Sequence, residues 1–226
     1  MKELMKNNKL VIGMVHFPAL PGTSSFNDDS NLSKIINSVL NDLEALQSGG
    51  IDAIMFGNEG DRPYSLKASN SSLAAMAYVI GLVKNNIKVP FGVNYLWDPY
   101  ATVALGSVTN ADFAREVFTG VYDSDMGLWQ PSASKALELR SNLNNKKLKL
   151  MFNVNAEFAS PIGTRTTAEK AESAVFSSLA DAICVSGIIT GQSVNIKDLI
   201  ETKERVKNTP VFANTGVNIN NIEEIF

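Results

Sequence analysis

Apolar residues fall along this chain in two alternating rhythms: short continuous runs, and longer stretches in which they return every third or fourth position. Continuous runs suit parallel strands covered on both faces, whereas the spaced pattern marks helices with one buried face. Residues 10–15 form the first run, and a loop over 17–30 follows, where Pro18, Pro21 and Gly22 forbid regular structure. Over 32–47, Ile35, Ile36, Val39, Leu40, Leu43 and Leu46 sit at helical spacing, and Gly49-Gly50 stops the helix. Residues 51–56 predict a second strand, ending in Gly57-Asn58-Glu59-Gly60-Asp61.

The alternation continues with a helix over 72–84 and a strand over 90–95. Asp98-Pro99 is an N-cap with proline at the first helical position, opening a helix that runs to 108. A fourth strand over 112–118 leads through a long polar turn to a helix over 131–143, and 149–154 is the fifth strand. Thr167 caps a helix to 179, with Glu169 and Glu172 in its early turns. Residues 182–186 and 211–214 are strands six and seven, with helices over 196–206 and from 218 to 226.

Seven such repeats without a hairpin signal predict a parallel sheet in one domain spanning 1–226. A (β/α)8 barrel of the TIM type is favoured over an open doubly wound sheet. Polar residues stand at nearly every strand's C-terminal end, which suits a geometry where all loops ring one mouth. The eighth β/α unit is missing from this chain; closing the barrel would take roughly 25 to 40 further residues. Without them the outer strands expose unpaired edges, so a truncation, a partner chain or an open sheet is expected.

Composition changes this picture little. The chain is 45% apolar and 19% charged with a net charge of -3, and its charges are mixed, leaving no basic footprint for nucleic acid. The single cysteine, Cys184, lies within an apolar run and excludes a disulfide framework or a cysteine-rich metal site. No apolar run approaches the ~20 residues of a membrane span. The N-terminal lysines are followed by Gly13, His16 and Pro18 rather than a signal-type apolar core. A cytoplasmic, homo-oligomeric protein is expected.

The candidate chemistry centres on residues 94–129, where charged and amide side chains stand at strand ends beside a glycine-bearing turn. Arg115 lies inside an apolar strand; its fork suits phosphate or carboxylate, unless it serves a structural pair with Glu116, Asp125 or Glu157. His16, the only histidine, ends strand one and is either a general acid or base or a turn-holding side chain. Glu59 and Asp61, with Asn58, offer acid–base chemistry or oxygen ligands for Mg, or form a solvated loop. Zinc is disfavoured by the ligand set. Asn94, Asn153 and Asn155 are candidates to bind substrate hydroxyls, and Glu157 is a second acid–base candidate; alternation places 153, 155 and 157 on one side. Asp125 is a candidate in the polar turn, and Thr190 a candidate substrate contact. Gly187, Gly191, Thr215 and Gly216 are the expected phosphate-binding positions, because exposed N–H groups at glycine turns and helix N-termini attract anions. Trp97 and Trp129 either wall a pocket or pack between helices.

Several motifs resemble the BtpA/SgcQ family. They are Ile12-Gly13-Met14-Val15-His16-Phe17-Pro18-Ala19-Leu20-Pro21-Gly22, Phe56-Gly57-Asn58-Glu59-Gly60-Asp61 and Gly92-Val93-Asn94. Phe118-Thr119-Gly120-Val121-Tyr122, Ser124-Asp125-Met126-Gly127, Ser160-Pro161-Ile162-Gly163 and Ser186-Gly187-Ile188-Ile189-Thr190-Gly191 complete the set. The resemblance implies a ribulose-phosphate-binding-barrel-like fold. One member of that family is named for photosystem I accumulation, and others lie among sugar-metabolism genes. Two departures stand out: the family's last Gly-Ser/Thr turn is absent, and strand four is one polar residue shorter. Such a deletion reverses the strand's faces or forces an irregularity, leaving the inward residue open between Arg115 and Glu116.

Two classes of function follow. One is a lyase- or isomerase-type enzyme, or a binder derived from one, acting on a phosphorylated sugar or related metabolite. The other is a non-catalytic assembly factor for a membrane complex. A third possibility is that the chain is a piece of an active protein.

Overall fold

The computed structural model describes residues 9–27 and 31–225. The N-terminal lysines up to position 8, the last residues of the first loop and the end of the last expected helix lie outside the described residues. The chain divides into two compact units, one of Leu10–Glu116 with Glu138–Leu148, the other including Val117–Leu137 and Lys149–Phe226.

In the first unit four parallel strands lie in sequence order: β1 (Ile12–His16), β2 (Ala53–Gly57), β3 (Phe91–Asn94) and β4 (Phe113–Glu116). Helices α1 (Leu32–Ser48), α2 (Asn70–Val83) and α3 (Pro99–Thr109) connect them. β2 is buried along its whole length, which accounts for its unbroken apolar sequence. Its Phe56 ring meets Phe17 and Phe91 edge-on at 6.0 and 5.9 Å. α1 turns Ile35, Val39 and Leu43 inward, and Asn31 caps it by accepting the Lys34 N–H. The Asp98 side chain caps α3 through the Tyr100 and Ala101 N–H groups, as the Asp-Pro pair predicts, and it also accepts the Ala68 N–H. Gly92 is required by packing: a Cβ there would lie 2.1 Å from the ring of Phe113, its register partner.

In chain order the remaining elements are β5 (Tyr122–Ser124), β6 (Gly127–Trp129), α4 (Ala133–Asn142), β7 (Lys149–Asn153) and β8 (Ala159–Pro161). They are followed by α5 (Thr167–Ser177), β9 (Ala182–Val185), α6 (Ile196–Val206), β10 (Val211–Ala213) and α7 (Ile222–Ile225). In the second unit β7, β9 and β10 run parallel side by side, and α5 packs on α6. The cap of α5 is Thr166, one residue before the expected Thr167, and it forms a reciprocal capping box with Glu169.

The expectation of uninterrupted β/α units without hairpins is corrected here. β5 and β6 form an antiparallel hairpin whose Ser124–Gly127 pair brackets Asp125-Met126, and β8 pairs with the other edge of β5. Strands of three residues are too short to show a period, so the segment reads as a polar turn in sequence.

Candidate functional site

The polar strand ends of the first unit form a row. His16 is in register with Gly57, and Gly57 with Asn94, so all three face the same way on strands about 4.8 Å apart. Gly57 has no side chain of its own. The Glu59 carboxylate folds back into the space, with Oε2 2.5 Å from where a Cβ on Gly57 would stand. Its Oε1 lies 3.3 Å from His16 Nε2, the histidine side chain about half exposed and Glu59 largely covered. An imidazole and a carboxylate therefore meet at the ends of β1 and β2, one turned to solvent and the other lying across the strand end.

Asn94 extends the row toward β4. Its Oδ1 accepts from Arg115 Nη2 at 2.8 Å, and its Nδ2 donates to Glu116 Oε2 at 2.7 Å. Arg115 and Glu116 are consecutive, and regular alternation would send them to opposite faces. Both nevertheless reach one amide; β3 pairs with β4 in the register Gly92 with Phe113 and Val93 with Ala114, one step short of Asn94 and Arg115. Glu116 Oε2 also accepts the Trp97 N–H at 2.9 Å. Trp97, buried, has φ +73, a left-handed conformation that costs a bulky residue roughly 1–3 kcal/mol. Its ring lies 5.9 Å from Tyr64. The sequence offers Glu116 as a partner for Arg115 or as the inward-facing residue of its strand, and its position inside an apolar strand is the signal of the larger role.

The two carboxylates of the Asn58-Glu59-Gly60-Asp61 loop separate. Asp61 is buried and ties its own loop to the one after β1: its Oδ1 accepts the Leu20 N–H at 2.8 Å and its Oδ2 the Asn58 Nδ2 at 2.9 Å. Asn58 Oδ1 in turn accepts the Leu96 N–H at 2.7 Å. Asn58 thus links Asp61 to the loop after β3. Gly60 lets the loop close, since a Cβ there would lie 2.4 Å from the Ala19 nitrogen. Each Asp61 oxygen thus accepts a hydrogen bond from the scaffold. Among the described residues no group of three or more His, Cys, Asp or Glu side chains is placed to hold a metal.

Burial pushes the Asp61 carboxyl above its ordinary 3.8, against the lowering effect of its bonds from Asn58, Leu20 and Thr23. A raised folded-state pKa means that the native chain holds this proton more tightly than the unfolded one. The resulting stability is full below pH 3.8 and is lost as pH rises through the folded value. Asp61→Asn is expected to remove that slope. It should also cost about 1–3 kcal/mol at neutral pH, because its amide would set a donor against Leu20 or Asn58. Urea unfolding across a pH series checks both.

In the second unit, Asn155 bonds the Ser186 backbone from both sides, accepting its N–H at 2.9 Å and donating to its carbonyl at 2.5 Å. Asn214 Nδ2 donates to Asn153 Oδ1 at 2.7 Å and to Ser186 Oγ at 3.0 Å. Thr190 Oγ1 donates to Glu157 Oε2 at 2.6 Å. Asp125 sits exposed at the tip of the β5–β6 hairpin. Of the expected phosphate ligands, Gly187 N–H already donates to Thr215 Oγ1 at 2.9 Å, and a Cβ on Gly216 would lie 2.4 Å from Gln192 backbone. Gly191, φ +89, turns in an exposed loop. The helix expected from 218 begins only at Ile222 and is four residues long.

Parallel strands joined by helices, with polar side chains gathered at their C-terminal ends, define a protein of the α/β-barrel class. The chain belongs to the BtpA family, whose profile matches residues 7–226. It is 42% identical over 224 residues to the sgc region protein SgcQ of Escherichia coli (strain K12), covering 99% of this chain and 84% of that protein. It is 31% identical over 226 residues to the photosystem I biogenesis protein BtpA of Synechocystis sp. (strain PCC 6803), covering 99% and 78%. In fold it is similar to the N-acetylmannosamine-6-phosphate 2-epimerase from Clostridium perfringens, with a TM-score of 0.57 at 15% identity, covering 96% of this chain and 81% of that one. Among the described residues no helix is long and apolar enough to cross a membrane.

Proposed function

We propose that the ends of β1 to β4 bind a small metabolite of the phosphorylated-sugar kind and transfer a proton at carbon, as lyases and isomerases do. The carrying observation is the Glu59 carboxylate laid over Gly57, 3.3 Å from His16 Nε2, in line with Asn94. In this reading Glu59 takes a proton from carbon beside a carbonyl, the electron pair moves onto the carbonyl oxygen, and a proton then returns to carbon. His16 supplies the adjoining proton-transfer atom. The fold's resemblance to an epimerase named for a sugar 6-phosphate adds support by analogy.

A panel of sugar phosphates tested by thermal shift is expected to contain at least one compound giving saturable stabilisation. Incubation of that compound with the protein in deuterated water should then wash deuterium into a carbon position. A panel without any stabilising compound sinks the proposal.

A second reading, a non-catalytic assembly factor, draws on the name of the BtpA relative. It is also supported by the exposed apolar side chains Tyr78 and Leu82 on α2 and Val108 on α3. It predicts no deuterium exchange with any compound.

A further inference from the structure

We propose that Arg115 seats the anionic group of the ligand, a carboxylate or phosphate, at the β4 end of the row that holds His16 and Glu59. The inference rests on the reading of these strand ends as a metabolite site and names the chemistry that its ligand must carry.

A guanidinium presents five N–H donors in a rigid plane. Arg115 gives one hydrogen bond, from Nη2 to Asn94 Oδ1, while its Nε is buried and has no partner among the described residues. A buried donor on a charged group is costly to leave unmade, and the edge carrying Nε suits two oxygens of an oxyanion. The guanidinium is also held before any ligand arrives. Asn94 turns its oxygen to Arg115 and its nitrogen to Glu116, so its amide is fixed at both ends, and the Trp97 N–H fixes Glu116 Oε2 in turn. Little ordering is left for the ligand to impose.

The alternative anion seat is weaker. Gly187 and Thr215 bond each other, and backbone of Gln192 lies close against Gly216. Asn94, expected to grip a hydroxyl, instead couples the arginine to Glu116 and acts as a positioning residue.

The test is calorimetric titration of the whole chain with ribose 5-phosphate, pyruvate and, as the neutral comparator, ribose. The phosphate and carboxylate probes distinguish the two kinds of anion. At least one of them is expected to bind wild type, and ribose should bind far more weakly. In Arg115→Met the anion's Kd should rise about 10- to 100-fold, with a smaller rise in Arg115→Lys, which keeps charge but not the fork. Millimolar free guanidinium should restore part of the affinity of Arg115→Met, which a merely structural role would not allow. Thr215→Val should stay within about threefold of wild type. The lysine variant stands in if the methionine variant does not fold by circular dichroism.

Unchanged affinity in a folded Arg115 variant overturns the assignment, as does a loss located in Thr215→Val or silence of both anions on wild type. Deuterium exchange separates the two proposals. Arg115-dependent affinity without exchange upholds this inference and removes the proton-transfer reading; exchange with Arg115-independent affinity does the reverse.

Discussion

Glu116→Ala is expected to lower the stability of the protein by about 3–5 kcal/mol, a large share of the ~5–15 kcal/mol that holds a typical domain folded. Glu116 is 3% exposed, and its Oε2 accepts from two other buried groups, Asn94 Nδ2 and the Trp97 N–H. Removing it strands both donors, at about 1–3 kcal/mol each, and leaves a cavity under a backbone already strained at Trp97. Glu116→Gln gives the decisive contrast. The bonds from Asn94 and Trp97 both go to Oε2, and an amide oxygen in that place accepts them equally, so the loss should be clearly smaller than in the alanine variant, about 1–2 kcal/mol. Denaturant unfolding followed by the fluorescence of Trp97 and Trp129 measures both variants. A loss below 1 kcal/mol in the alanine variant would show that Glu116 does not organise the strand end.

The second large effect is on chemistry. Glu59→Gln keeps the volume of the side chain over Gly57 but removes its capacity to take a proton. With the sugar phosphate that stabilises the protein most, the rate of deuterium wash-in should fall by about 10²- to 10⁴-fold, while the compound still binds. A rate within threefold of wild type would assign the base elsewhere. Glu157 is then the next candidate, since its carboxylate accepts from Thr190 Oγ1 in the second unit.

Glu59 and Asp61 show how far residue types alone reach. Two acids in a glycine-bearing loop look alike in sequence, and both were candidates for one site. Their fates differ because Gly57 and Gly60 shape the space around them: the first leaves room for a carboxylate over a strand end, the second lets the loop close against residues 17–19. Asp61 then meets the Leu20 N–H and becomes a scaffold bond, while Glu59 meets His16. Those partners lie some 40 positions away in the chain, beyond any local pattern.

The order of strands and helices could be read from the chain itself, since a covered parallel strand must be continuously apolar and a one-faced helix must repeat near 3.6 residues. Local chemistry likewise set the Asp98 cap of α3 and the placing of His16, Gly57 and Asn94 at strand ends. Three things were decided only by tertiary structure. One is the β5–β6 hairpin, whose strands are too short to carry a period. Another is the meeting of Arg115 and Glu116 at Asn94, which spacing along β4 alone does not give. The third is which of the two loop acids meets His16 and which the Leu20 N–H. Each depends on contacts between strands, and spacing along one strand carries no information about what its neighbour presents.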